Sequence, residues 1–141
     1  MGTTFRGYRT RTDAVVEYTE NVKMLSYWWE LPLYLDEVDH SPTGFEWGYY
    51  GSGPSQLAYA ILRHMFGKMY ETQEKAREMS QEKYMSFKRD VIAQIRTDRW
   101  EMREEDFHAW LTAKELYPTK SVGIEKSSLT NPVTHVRIVV D

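Results

Sequence analysis

The run His40-Ser41-Pro42-Thr43-Gly44-Phe45-Glu46-Trp47-Gly48-Tyr49-Tyr50-Gly51-Ser52-Gly53-Pro54-Ser55-Gln56-Leu57-Ala58 divides this chain. Strand-like sequence precedes it and helical sequence follows. It holds four glycines, two prolines and four aromatics in nineteen residues. Glycine at that density serves positions that need positive φ or close backbone approach. The run is therefore a built feature, either a rigid elbow or an anion cradle.

Downstream, Pro54 suits the first position of a helix, with Gly53 or Ser52 as its cap. Leu57, Ala60, Ile61 and Met65 form an apolar stripe at helical spacing, and Gly67 is expected to end that helix. Ala76, Met79, Tyr84, Phe87, Val91, Ile92 and Ile95 mark one face of a second helix, with an irregularity expected near Ser80. A third helix is expected from Glu104 to about Leu116, burying Phe107, Trp110 and Leu111 and stopped by Pro118. Trp47, Leu57, Ile61, Phe87, Val91, Trp110 and Leu111 are expected to be buried together.

Upstream, Phe5 to Thr10 and Ala14 to Tyr18 read as the strands of a hairpin with Thr12-Asp13 near its turn. Glu20-Asn21 marks another turn. The aromatic stretch from Leu25 to Leu35 reads as two short extended pieces, or a short helix then a strand, since Pro32 argues against one central strand. A short strand is expected at Phe45–Tyr49. Thr119 to Pro132 reads as a linker, and Val133 to Val140 as a terminal strand with Val136, Ile138 and Val140 on one face. The fold class expected is α+β: an N-terminal antiparallel sheet, an ordered Gly-rich elbow, three packed helices and a C-terminal strand. Residues 1–116 are expected to form a single domain and 117–141 a linker and extension.

Composition bounds the function. The 141 residues include no cysteine, so disulfides and thiolate metal sites are excluded. No run approaches the ~18 apolar residues of a membrane span, and the expectation is a soluble intracellular, cytoplasmic protein. A net charge of −3 argues against the chain acting as an electrostatic glove for nucleic acid.

Gly51-Ser52-Gly53-Pro54-Ser55 ahead of a helix could bind phosphate through Gly51, Ser52, Gly53 and Ser55. It matches neither a Walker loop nor a dinucleotide fingerprint, and a tight loop with an N-cap is the simpler reading. His40, His64, His108 and His135 show no ligand spacing, so no metal and no cofactor is expected. Glu104-Glu105-Asp106 could be paired catalytic carboxylates, but acids in a first helical turn suffice as an explanation. No catalytic residue is assigned. Arg6, Arg9 and Arg11 with Phe5 and Tyr8 could meet single strands or an acidic partner, or could guard a sheet edge. Trp28 and Trp29 must face opposite sides if extended, so one can be buried and the other exposed.

Phe5-Arg6-Gly7-Tyr8-Arg9, His40 to Tyr49, Gly51 to Ala58, Tyr84 to Val91 and Trp100 together resemble DUF6166, an uncharacterised domain family of archaea, bacteria and their viruses. The resemblance spans Phe5 to Leu111 and brings no established activity. The chain departs from the family pattern in its longer aromatic stretch, its tail from Thr112, and Arg103 where Thr or Ser usually starts the third helix. Small viral members of this kind are similar to phage-encoded inhibitors of host RNA polymerase from thermophile phages, in size, composition and overall character. That resemblance implies a non-enzymatic phage protein that binds host RNA polymerase or its sigma factor and inhibits or redirects transcription. The contact surface would then be the aromatic segment Tyr27 to Tyr34, with Tyr27, Trp28, Trp29 and Tyr34 as contact residues, or the tail, with no membrane and no direct nucleic-acid binding. A phosphate- or nucleotide-binding module using Gly51 to Ser55 is the alternative, and an enzyme acting on nucleic acid is a third.

Overall fold

Thr3–Arg9 (β1) and Ala14–Glu20 (β2) form an antiparallel hairpin, pairing Thr3 with Glu20 and Arg9 with Ala14. Thr10 holds the turn: its hydroxyl oxygen accepts from the Thr12 and Asp13 amides, and its own amide donates to the Asp13 carbonyl. These coordinates are a computed structural model that describes residues 2–20, 27–118, 120, 122–124, 134–135 and 138–140. The segments Asn21 to Ser26 and most of 119–133, including much of the expected linker, lie outside the described residues.

Arg99–Arg103 (β4) pairs antiparallel with the other side of β1. Trp29–Glu30 (β3) lies beyond β2, and Thr134–His135 (β6) runs parallel beside β4. The order is β3-β2-β1-β4-β6. β1 is therefore interior, and its arginines do not guard an edge as one sequence reading had it. Arg6 instead meets Glu17 at 2.8 Å, and Arg9 meets Asp98 at 2.8 Å. Gly7 is required by close approach: a Cβ there would lie 2.3 Å from Trp100 Nε1 across the β1–β4 pair.

Glu104–Leu116 (α3) follows β4 directly and buries Phe107, Trp110 and Leu111 as expected. Asp106 Oδ2 accepts the Arg103 amide at 2.9 Å, which replaces the missing Ser or Thr cap. Glu104 Oε1 accepts the Thr3 amide. The acids of this turn thus serve the helix start and the sheet. Val122–Ile124 (β5) pairs antiparallel with Ile138–Val140 (β7) in a separate two-stranded sheet. The expected single terminal strand is two strands in two different sheets. Val133 and Val136 lie outside the described residues.

The chain divides into two compact units, Met1–Glu30 with Ile95–Asp141, and Leu31–Gln94. The second is helical. Ser52–Met69 (α1) is buried without a break from Gly53 to Arg63, far more than the stripe read from sequence. Gly67 does not end α1, which continues to Met69 with Tyr70 as its cap. Gln73–Asp90 (α2) packs along α1, and a 3₁₀ turn, Ile92–Gln94, follows. α2 has no break at Ser80. That residue belongs to the buried stripe, and its hydroxyl donates to the Ala76 carbonyl at 2.7 Å. A polar residue in an apolar row had looked like an irregularity. Ahead of α1, Phe45–Tyr49 is not a strand. Gly44 and Gly48 have φ of 138° and 89°, and the Gly48 amide donates to the Ile92 carbonyl. Trp47, Leu57, Ile61, Phe87 and Val91 are buried in this unit, whereas Trp110 and Leu111 belong to the sheet unit. The architecture is α+β, with an N-terminal antiparallel sheet and three helices among the described residues.

Candidate functional site

The register of the sheet decides where its aromatics point. Phe5, Tyr18 and Trp29 are directly paired across β1, β2 and β3, so they share one face. The Trp29 ring stacks on Tyr18 at 5.6 Å and meets Tyr27 at 4.8 Å. Tyr27 is 62 % exposed and Trp29 40 %. The Thr19 hydroxyl donates to the Tyr27 carbonyl at 2.6 Å and fixes the approach to β3. Trp28 takes the opposite face, where the Arg6 guanidinium lies 3.8 Å from its ring centroid. It is half-buried, so neither tryptophan enters the core. Pro32, which has no N–H, cannot extend the ladder past Glu30. Tyr27, Trp28 and Trp29 thus come together at one sheet edge. Tyr34 belongs to the helical unit.

Gly51 is the N-cap of α1, in extended conformation and with no side-chain cap, and the first turn holds no acid. Ser52, Gly53 and Pro54 are the first three helical residues, so Pro54 sits two places later than the sequence suggested. Its missing N–H costs nothing there, since that group would have no helical partner. Ser55 is buried, and its hydroxyl donates to the Gly51 carbonyl while accepting from Lys88 Nζ at 2.9 Å. Glu46 packs against Gly53, where a Cβ would lie 2.8 Å from Glu46 Cβ. This brings a carboxylate-bearing side chain to the same turn.

A third arrangement escaped the sequence reading. Gln56, Tyr59 and Arg63 are three and four residues apart, hence on one face of α1. Gln56 is fully buried and uses all its hydrogen-bonding capacity. Its Oε1 accepts from the amides of His40 and Ser41, and its Nε2 donates to the carbonyls of Leu33 and Val38. Glu37 Oε1 accepts from the Tyr59 hydroxyl and Arg63 Nε, each at 2.8 Å, and Oε2 from Arg77 Nε at 3.2 Å. Tyr34 has φ of 59°, the single positive value at a non-glycine residue among the described residues, and its ring lies under the Arg63 guanidinium at 5.5 Å. Its carbonyl accepts from the amides of Glu37 and Val38, closing the turn that delivers Glu37.

Burial raises the Glu37 pKa, but hydrogen bonds from Arg63, Tyr59 and Arg77 and the charge of Arg63 outweigh it, leaving the carboxyl below its ordinary value. Burial first, then the hydrogen bond to Glu37 and its charge, push the Tyr59 hydroxyl well above the usual phenol range. Both shifts keep Glu37 ionised and Tyr59 neutral. The legible signal was a Gln-Tyr-Arg face on an otherwise apolar helix. Glu37 itself sits in Asp36-Glu37-Val38-Asp39 and reads as one of several surface acids.

His40 stacks on Tyr84 at 5.0 Å, and its Nε2 is buried without a hydrogen-bond partner among the described residues. Among the described residues no three His, Asp or Glu side chains are grouped to hold a metal, and no helix is long and apolar enough to cross a membrane. Residues 5–113 match the model of a family of unknown function, DUF6166. No curated protein and no solved structure matches the chain.

Proposed function

The chain belongs to DUF6166, and from that membership, which carries no activity, we propose that it is a non-enzymatic viral protein that acts by binding a protein partner. The partner is host RNA polymerase or its sigma factor, the target implied by the likeness to phage-encoded inhibitors. One observation carries the binding reading: Tyr27 and Trp29, both exposed, form a contiguous aromatic row with Tyr18 at a sheet edge. Tyrosine and tryptophan dominate interface energies, because they bring large rigid surfaces that also tolerate water. Trp28 supports the row from the other face by holding Arg6. Tyr34, in the helical unit, is the fourth proposed contact residue.

The experiment is a binding titration against purified host polymerase, with and without sigma, alongside in vitro transcription. Wild-type protein should bind and lower or redirect transcript yield. Trp29→Ala should weaken binding by about 2 kcal/mol. A wild-type protein that neither binds nor changes the transcripts defeats this reading. A nucleotide or phosphate held at Gly51, Ser52, Gly53 and Ser55 is the second reading. It is favoured by the uncapped α1 terminus and by Lys88 beside Ser55 and opposed by Glu46 packed on Gly53.

A further inference from the structure

Arg63 and Arg77 are bound to the same carboxylate. Each engages Glu37 through Nε, and Glu37 is the one acceptor that either finds among the described residues. Two guanidiniums carry about ten N–H donors, whereas one carboxylate offers about four acceptor positions, and Tyr59 takes one of those. Most of the donors therefore lack an acceptor among the described residues. The Arg77 side chain is more than half exposed, so its spare donors reach solvent, and among the described residues no Arg63 nitrogen is both buried and unbonded. Two guanidiniums against one carboxylate also leave one net positive charge, held where the Arg63 side chain is only 7 % exposed.

The Arg63 guanidinium lies against the helix at that point, with Gln73 Oε1 close by. Gly67, one turn after Arg63, is half-buried, and a Cβ there would lie 3.2 Å from Arg63 Nη1. Gly67 does not terminate α1 and has no positive φ, so no backbone requirement explains it. Its use is the space it leaves beside the guanidinium. The Arg77 side chain is about half exposed. Tyr34 backs Arg63 from the other side.

We infer that Arg63 and Arg77, set by Glu37, with Arg63 seated against Gly67, form a binding site for a phosphate-type oxyanion. Guanidinium forks match phosphate oxygens in pairs, and their orientation is already fixed here, so little ordering is needed on binding. The site lies within the helical unit and does not rest on the polymerase reading.

The test is a titration of ¹⁵N-labelled protein with sodium phosphate at fixed ionic strength, reading the arginine Nε–H resonances, with chloride and acetate as controls. Phosphate should shift the Arg63 and Arg77 signals saturably, and acetate and chloride should not. Arg77→Gln, at a largely exposed position, should keep the fold and weaken binding about tenfold or more. Gly67→Ala should keep or raise thermal stability, because alanine favours a helix, and yet weaken phosphate binding. That opposition separates a ligand site from a merely structural cluster. Lys88→Gln should leave binding unchanged, which separates this site from the Gly51–Ser55 loop. Adenosine monophosphate and phosphoserine identify the source: the tighter of the two carries the phosphoryl group recognised, and parity with inorganic phosphate assigns the free ion. Non-saturable shifts, or wild-type binding by either Arg77→Gln or Gly67→Ala, overturn the proposal.

Discussion

The sheet unit and the helical unit are fastened differently. In the sheet unit, β1 lies between two antiparallel partners, and its inner face is a packing problem solved by Phe5, Val16, Trp100 and Met102. The Arg9–Asp98 pair at the end of β1 is largely exposed and contributes little. The helical unit fastens residues 33–41 with few side chains, each making several bonds: Gln56 to four backbone groups, Glu37 to three side chains. The sheet is sensitive to volume, and the helical unit to the loss of single polar groups. Long aromatic side chains belong to either pattern, so aromatic content alone does not mark a contact surface.

The largest expected effect is at Gln56. Gln56→Leu keeps the size but strands two amides and two carbonyls, at a cost of about 3–5 kcal/mol. Urea denaturation should show it, and hydrogen exchange at His40 and Ser41 should accelerate. Stability within 1 kcal/mol of wild type (roughly the worth of a single hydrogen bond) would erase the contrast between the units. Next is Gly7→Ala, whose methyl collides with the Trp100 indole. Overpacking there should cost about 2–3 kcal/mol and quench or shift tryptophan emission. Acid supplies the third comparison. Glu37 is depressed in the folded state from a reference of 4.5, so its contribution is present above that pH and fades as pH falls through the lower folded value. Glu37→Gln should flatten this acid limb in thermal melts from pH 6 to 2, and an unchanged limb would remove Glu37 as its source.

Gly53→Ala should cost about 1 kcal/mol in thermal melts, through contact with the Glu46 Cβ and amide nitrogen rather than through φ, so Glu46→Ala, which keeps both atoms, should restore little of it. The smallest stability effect belongs to the edge. Tyr27→Ala and Trp29→Ala should move folding stability by no more than about 0.5 kcal/mol, while binding to the proposed partner falls. A large drop in melting temperature for either would make these residues structural.

Much of this is legible in the sequence. α3 announced itself by three acids in the first turn, an apolar face and Pro118. The hairpin followed from alternation, and the elbow's need for positive φ holds at Gly44 and Gly48. β4 was missed although Arg-Trp-Glu-Met-Arg alternates, because five residues abutting a helix start give too short a pattern. Gly67 misled because glycine usually marks a helix end, and here it makes room for Arg63. The Glu37 arrangement was hidden for a deeper reason. Composition treats Gln, Glu and Arg as surface residues, and only the three-dimensional turn at Tyr34 reveals that they are paired inside. The β5–β7 pairing joins segments that no local pattern connects.

The strand order also has a consequence for synthesis. Thr4 in β1 pairs with Arg103 in β4, so the sheet is interrupted in sequence by the whole of Leu31–Gln94. The helical unit is contiguous and can fold once its own residues have left the ribosome. The β1–β2 hairpin emerges first but must wait, with one edge open, until β4 arrives. Closing that long loop is slow, and an open strand edge is where chains stick to one another. Early folding of the helical insert shortens the effective loop and brings the two halves of the sheet within reach. The insert thus acts as a timing element: variants that weaken Gln56 should raise aggregation during expression beyond what their equilibrium stability implies, and low-temperature expression should recover them.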